Sequence, residues 1–265
     1  MEQPSLDQLF CPLHLHDAIL LLFAAIAAGA LNAVAGGGGF IAFPSLIFTG
    51  MQPIAANATN TCALWPGTLA SSAAYRTALR GRLHALAPLV VSGIAGGILG
   101  SFVLLHTPQR TFLKLVPWFL LSATLLFTFS KRITLFLRLR AEVDRETSVG
   151  VVGGAIIQFI ISIYIGYFGA GAGILMLAML ALLGETDIHV MNGMKTILAT
   201  IANGMALAMF IINRAVVWPQ ALLMIAGAAL GGYAAAWYAQ KIDPRITRGL
   251  VIVTGFSMAA WFFLR

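Results

Sequence analysis

Two groups of polar residues lie inside apolar segments of this sequence, at spacings that put each group on one helix face. Lys195 comes three residues after Asn192 and directly before Thr196, and Asn60 comes three residues after Asn57 and directly before Thr61. Residues three or four positions apart share one face of a helix. A set of ammonium, amide and hydroxyl groups that contains no carboxylate is suited to binding an anion.

Lys195 is the basic residue that we place deepest in an apolar segment. It follows Asp187 by eight residues, which corresponds to about 12 Å along a helix. A charge near the middle of a hydrocarbon core about 30 Å thick is costly and usually marks a pathway or a site. The alternatives are that the lysine snorkels to the interface and that the asparagines form hydrogen bonds between helices.

Two glycine clusters precede short apolar segments. Gly36–Gly39 stand in "NAVAGGGGFIAFPSLIFTG", and Gly169, Gly171 and Gly173 stand in "GYFGAGAG". Such runs break helices, and a broken backbone in lipid persists only inside protein or beside a water-filled cavity. The helices that begin there would present free N–H groups and partial positive charge. The alternative is that the glycines only allow close helix packing. We favour that packing interpretation elsewhere, for Gly93, Gly96, Gly97, Gly100, Gly231 and Gly232.

These groups define the predicted substrate-binding site. Its residues are Gly36, Gly37, Gly38, Gly39, Asn57, Asn60, Thr61, Gly169, Gly171, Gly173, Asn192, Lys195 and Thr196. No catalytic residue, metal site or cofactor is predicted. All nine acidic residues lie at chain ends or in loops, and no set of His, Cys and carboxylate groups lies at a matching depth. An intramembrane enzyme is therefore the weaker alternative, and a passive anion channel is the nearer one.

The composition is that of a polytopic membrane protein. The 265 residues are 60% hydrophobic and 9% charged, with a mean hydropathy of +0.91, whereas a soluble domain carries about 25% charged residues. The net charge of +7 is explained by basic cytoplasmic loops rather than by nucleic-acid binding. The lipid bilayer and a small anionic substrate are the expected partners, and the sequence leaves the oligomeric state open.

Ten apolar segments predict an all-α fold of eight long helices and two short, half-membrane helices. Segments 39–49 and 173–184 are short, and each follows a glycine cluster. A full span needs about 20 residues. We assign residues 1–130 to a first transmembrane repeat, 131–147 to a basic cytoplasmic linker and 148–265 to a second transmembrane repeat. The ten segments run over 17–35, 39–49, 54–75, 84–106, 112–130, 148–168, 173–184, 188–212, 216–240 and 246–264.

The two halves resemble each other at a constant offset. "NATNTCAL" corresponds to "NGMKTILA", so that Asn57 pairs with Asn192, Asn60 with Lys195, and Thr61 with Thr196. Across about a hundred residues the offset stays between 134 and 136. Glycine, asparagine and proline positions take part in the match, which indicates an internal duplication.

The distribution of basic residues predicts how the two repeats are oriented. If all ten segments cross and the N-terminus is outside, eleven Lys and Arg residues are cytoplasmic and four are external. This obeys the positive-inside rule. Five crossings per repeat turn the second copy upside down, and inverted repeats around a midplane site are typical of secondary transporters. If the short segments re-enter instead and the N-terminus is inside, ten Lys and Arg residues are cytoplasmic and five are external.

The motifs "AGGGGFIAFPSLIFTGMQPIAANATNT", "GYFGAGAG" and "MKTILATIAN" resemble the two signature halves of the TauE/SafE family of sulfite and organosulfonate exporters. The resemblance covers nearly the whole chain. It implies a bacterial inner-membrane carrier that exports a small sulfur oxyanion or sulfonate by alternating access. The chain differs from relatives at Asn32 and Ile165, where an acid is common, and at Thr61, where a lysine is common.

We predict that "KRITLFLRLRAEVDRETS" is cytoplasmic and that both chain ends are periplasmic. In a variant whose two native cysteines are replaced, Glu2→Cys should react with an impermeant maleimide added outside the inner membrane, and Leu139→Cys should react only after permeabilisation. Labelling of position 2 only from the cytoplasmic side would eliminate the topology of five crossings per repeat.

Overall fold

The computed structural model describes residues 13–35, 37–74, 86–143, 150–185, 187–238 and 244–264. These residues form ten α-helices and no strand. In chain order the helices are α1 Leu15–Ala35, α2 Gly39–Phe48, α3 Pro53–Ala74, α4 Ala87–His106, α5 Gln109–Val143, α6 Val151–Tyr167, α7 Ala172–Leu182, α8 Ile188–Ile212, α9 Trp218–Tyr238 and α10 Pro244–Leu264.

The observed helices confirm the predicted all-α fold, with α2 and α7 as the two short helices. They have 10 and 11 residues, and each of the other eight has 17 or more. The main difference concerns α5, which continues to Val143 through much of the stretch that we assigned to the linker. Charged residues end an apolar run, but "KRITLFLRLRAEV" contains no Gly or Pro that would end a helix.

The apolar character of the helices is that of a multi-pass membrane protein. Within the described residues, four helices are long and apolar enough to cross a membrane. They cover Leu15–Asn32, Ala87–His106, Gln109–Ser130 and Val190–Ile212. On α6 the side chains of Val152, Ile156 and Ile160 are exposed at 57% or more. Their spacing of four residues forms an apolar stripe on one helix face, as expected for contact with lipid.

Both short helices end in the same way. Gly50 and Gly184 have left-handed backbones, with φ of 80° and 86°. After each glycine, the next residue donates its N–H to the carbonyl oxygen five positions earlier, Met51 to Leu46 and Glu185 to Leu180. This is the Schellman ending, which glycine adopts without strain. The two glycines are 134 positions apart, in agreement with the repeat offset.

The chain divides into two compact units. The first comprises Met1–Gly67, Leu104–Thr124 and Leu207–Arg265, and the second comprises Thr68–Val103 and Leu125–Ala206. Each unit therefore contains residues of both predicted repeats. The boundaries of the repeats and their inverted orientation were inferred from the sequence, and both stay predictions.

In the first unit, α1 and α9 pack backbone against backbone. A Cβ placed on Gly29 would overlap the backbone of Ala228, and one placed on Gly231 would overlap the carbonyl of Ile26. The aromatic rings of Phe43, Phe112 and Phe262 form an adjacent core, with centroids 6.2–6.4 Å apart around Phe43. Small residues thus allow the close helix approach that membrane interfaces require.

In the second unit, glycines of α4 contact α6 and α8. A Cβ on Gly96 would lie 2.5 Å from the carbonyl oxygen of Phe159, and one on Gly97 would lie 2.5 Å from that of Ala202. Gly100 contacts Ile163 as closely. The packing interpretation of these glycines is confirmed, and it is confirmed for Gly231 as well. For Gly93 and Gly232 the nearest atoms lie 3.6 Å or more from the added Cβ, which is ordinary contact.

We predict that Gly231→Ala lowers the midpoint of thermal unfolding in detergent, because the new methyl group overlaps the backbone of α1. Overpacking of this kind costs about 1–3 kcal/mol. Gly67→Ala is the matched control, since it is also helical and has nothing within 4 Å of the added Cβ. If the Gly231→Ala protein is as stable as the Gly67→Ala protein, α1 and α9 can move apart at little cost, and the prediction is wrong.

Candidate functional site

The predicted site residues fall into two clusters, one in each unit. We call Gly169, Gly171, Gly173, Asn192, Lys195 and Thr196 the lysine cluster, and it lies in the second unit. We call Gly37, Gly38, Gly39, Asn57, Asn60 and Thr61 the asparagine cluster, and it lies in the first unit. Gly36 lies outside the described residues.

A tight backbone turn separates α6 from α7 in the lysine cluster. Gly169 and Gly171 have φ values of 80° and 74°, in the left-handed region that favours glycine. The N–H groups of Phe168 and Gly169 both donate to the carbonyl of Tyr164. The helix break that the sequence predicts here is observed, and at these two positions it uses a conformation that side chains disfavour.

The side chain of Tyr164 holds the same turn from its other end. Its hydroxyl donates to the carbonyl of Ala170 over 2.5 Å. That carbonyl is therefore engaged by the tyrosine. No described residue accepts a hydrogen bond from the backbone N–H of Gly171 or Gly173. The first turn of α7 thus presents free N–H groups, which together with the helix dipole favour an anion.

Lys195 lies against the start of α7. Its Cδ is 3.4 Å from the position that a Cβ on Gly173 would take, so the glycine leaves room for the aliphatic part of the lysine. The Nζ atom donates to Oδ1 of Asn192 over 3.1 Å. Among the described residues the ammonium group has no carboxylate partner. A partly buried cation bonded only to a neutral amide retains two N–H donors for a ligand.

The threonine hydroxyls bond to their own helices. Thr196 donates to the carbonyl of Asn192 over 2.7 Å, and Thr61 donates to that of Asn57 over 2.9 Å. Each hydroxyl proton is therefore used within its helix, and the oxygen remains available as an acceptor. The equal bonds at equivalent positions agree with the duplication.

The asparagine cluster has a different backbone. Gly38 is right-handed, with φ of −56°. A Cβ on it would lie 2.5 Å from the carbonyl oxygen of Ala28, and one on Gly37 would lie 3.0 Å from Val251. At these two glycines a side chain is excluded by close packing. The backbone of Gly38 does not need a positive φ. Their role in binding substrate stays a prediction.

Gly39, the first residue of α2, faces Asn60. The Nδ2 atom of Asn60 lies 3.6 Å from the position of a Cβ on that glycine. Gly173 and Lys195 make the equivalent contact at offsets of 134 and 135 residues. In both units the start of the short helix therefore contacts the same polar position of the following long helix. Asn57 and Asn60 are both buried.

Sequence reasoning missed the polar groups of α6. One indication in the sequence that Tyr164 belongs to the site is its place two residues before "GYFGAGAG". This indication is weak, because tyrosine is also enriched at membrane interfaces. Gln158 and Ser162 were also missed. Both are fully buried, and Nε2 of the glutamine donates to Oγ of the serine over 3.0 Å.

Comparison with known proteins gives one consistent result. The model of the family described as "Sulfite exporter TauE/SafE" matches residues 21–262. A "Probable membrane transporter protein" of Haemophilus influenzae is 27% identical over 92% of this chain and 94% of its own length. "Probable membrane transporter protein ORF9" of Sinorhizobium sp is 26% identical over 92% and 91%, respectively. "Probable membrane transporter protein YfcA" of Escherichia coli K12 is 24% identical over 91% and 87%. No solved structure matches the chain.

We predict that Gly171→Ala strains the turn before α7, because alanine in the left-handed region costs about 1–2 kcal/mol. Its thermal unfolding midpoint should fall. Gly150→Ala is the control, because Gly150 has a negative φ and no atom within 4 Å of an added Cβ. Equal unfolding midpoints of the two variants would contradict the need for a left-handed residue at Gly171.

Proposed function

Because the chain belongs to the sulfite exporter TauE/SafE family, we propose that this membrane transporter exports sulfite or an organosulfonate across the bacterial inner membrane. The family is one of transporters and not of enzymes. The intramembrane enzyme considered above is thereby excluded. The substrate and the mechanism described below are proposals.

The observation that carries the proposal is Lys195. Its ammonium group bonds to the amide of Asn192, and among the described side chains no carboxylate neutralises it. An unneutralised charge at membrane depth is costly. An anionic substrate would supply the missing charge, so the lysine cluster is better suited to an occupied site than to an empty one.

The remaining groups of the lysine cluster favour the same ligand. The N–H groups of Gly171 and Gly173 are donors, and Nδ2 of Asn192 is a donor. Donors arranged around one positive charge match the oxygen atoms of a sulfonate or sulfite. The lysine cluster contains no carboxylate, so proton coupling through a carboxylate has no candidate there.

We propose alternating access by two inverted repeats as the transport mechanism. Its support is the duplicated sequence, together with the repeated contact between the start of each short helix and the next long helix. Inverted repeats with broken helices are typical of secondary transporters. In this topology both chain ends are periplasmic.

We predict that Lys195→Met weakens anion binding about 10- to 150-fold, because it removes a charge-assisted hydrogen bond worth about 1.5–3 kcal/mol. The measurement is sulfite-dependent thermal stabilisation of the purified protein at fixed salt. Lys114→Met is the matched control, because Lys114 is exposed on α5. It should bind as the native protein does.

Lys195→Arg should retain part of the binding, since the charge is kept but the larger guanidinium group must fit beside Gly173. If Lys195→Met binds sulfite as tightly as the native protein, the lysine is structural and the proposed site is wrong. Counterflow in proteoliposomes separates a carrier from a channel, because a passive anion channel gives no accumulation of labelled anion against its gradient.

A further inference from the structure

The amide of Asn60 in the asparagine cluster is buried with an unpaired acceptor. The residue is 8% exposed, and its Oδ1 atom has no hydrogen-bond partner among the residues that the structure describes. A buried acceptor of this kind is costly to leave unpaired, and most buried polar atoms in proteins are paired. This oxygen is therefore available to a donor group from outside the protein.

The position of Asn60 indicates that this group is part of a ligand. The amide faces Gly39 at the start of α2, where a Cβ would lie 3.6 Å from Nδ2. Its repeat equivalent is Lys195, which lies in the same relation to Gly173. An unpaired amide thus occupies in one unit the place that the proposed anion-binding lysine occupies in the other.

The two clusters differ in what they offer a ligand. In the lysine cluster the acceptor of Asn192 is already satisfied by Nζ of Lys195, which leaves mainly donors. In the asparagine cluster no described residue donates to Asn60, which leaves an acceptor.

A fully deprotonated oxyanion has only acceptor atoms and would leave Oδ1 of Asn60 unpaired. Sulfate, thiosulfate and a simple alkanesulfonate are ligands of this kind. A hydroxyl, an ammonium or a protonated oxygen would donate to it. Sites built to bond a substrate hydroxyl or amine reject analogues that lack this group, because a buried polar atom is then left unpaired.

We propose that Asn60 is a specificity-determining residue that binds a hydrogen-bond donor of the substrate, so that the transported anion carries a hydroxyl, ammonium or acidic O–H group. The inference rests on the proposed function, since it assumes that the chain transports an anion. It adds the chemical class of that anion.

The test compares three sulfonates of the same chain length in the full-length protein in detergent. Ethanesulfonate has no donor, 2-hydroxyethanesulfonate has a hydroxyl, and 2-aminoethanesulfonate has an ammonium. Dissociation constants are measured from ligand-dependent thermal stabilisation at fixed salt and pH. We expect the native protein to bind the two donor-bearing compounds about tenfold or more tightly than ethanesulfonate, as expected for one buried hydrogen bond.

Asn60→Leu should remove this preference, because leucine has a similar size and no acceptor. Asn60→Asp keeps the acceptor and adds a negative charge, so it should favour the ammonium compound over the hydroxyl compound. Asn213→Leu is the matched control, because Asn213 is exposed and bonds only to Met209 of its own helix end. It should leave the native preference unchanged.

The measurements distinguish failure of the role of Asn60 from failure of the proposed function. Equal binding of ethanesulfonate and 2-hydroxyethanesulfonate to the native protein would overturn the role of Asn60 and leave the proposed anion transport intact. The same holds if Asn60→Leu and Asn60→Asp both keep the native order of affinities, since a bound water would then satisfy the amide. Failure of all three sulfonates and of sulfite to stabilise the native protein would overturn the proposed function as well.

Discussion

The requirement that every backbone polar group find a partner in a medium without water governs this structure. A helix that stops at membrane depth exposes N–H and C=O groups, each at a cost of several kcal/mol. The chain nevertheless interrupts its helices before α2 and before α7. Such interruptions persist only where other groups hold the backbone, and the two breaks are held in different ways.

Before α7 the backbone turns sharply and is fixed by one tyrosine. The carbonyl of Tyr164 accepts two backbone bonds, and its hydroxyl donates to Ala170. Before α2 the glycines instead allow direct packing against Ala28 and Val251. The duplicated sequence therefore preserves the presence of a break and the contact of each short helix with the next one. It does not preserve the means by which each break is stabilised.

The helices and their order were predictable because hydropathy and glycine placement depend on local sequence. The short helices end at Gly50 and Gly184, whose left-handed backbone forms the cap that stops each helix. The extension of α5 to Val143 was not predicted, because charge ends a hydropathic segment without ending a helix. The φ values of the two glycine clusters depend on tertiary packing, and for this reason one sequence pattern led to two backbones.

Within the predicted site, the sequence gives the chemical groups that are present. It does not give the hydrogen-bond partners of those groups. The charge of Lys195 is read directly from the sequence, but its bond to Asn192 depends on rotamers. The threonines share a helix face with the other polar residues, yet their protons bond to carbonyls four residues earlier. This competition from the helix itself is general for threonine, so spacing alone overestimates the donors available to a ligand.

Lys195 and Asn60 hold equivalent positions of the duplicated sequence but differ in charge. Within its own unit, each contacts the glycine that begins the short helix, Gly173 or Gly39. The lysine offers a cation at this position, whereas Asn60 offers a neutral amide whose Oδ1 has no hydrogen-bond partner among the described residues. An amide costs far less to bury than a charge, so the two copies of the sequence can keep the same glycine and the same helix contact while the group beside them changes its chemistry.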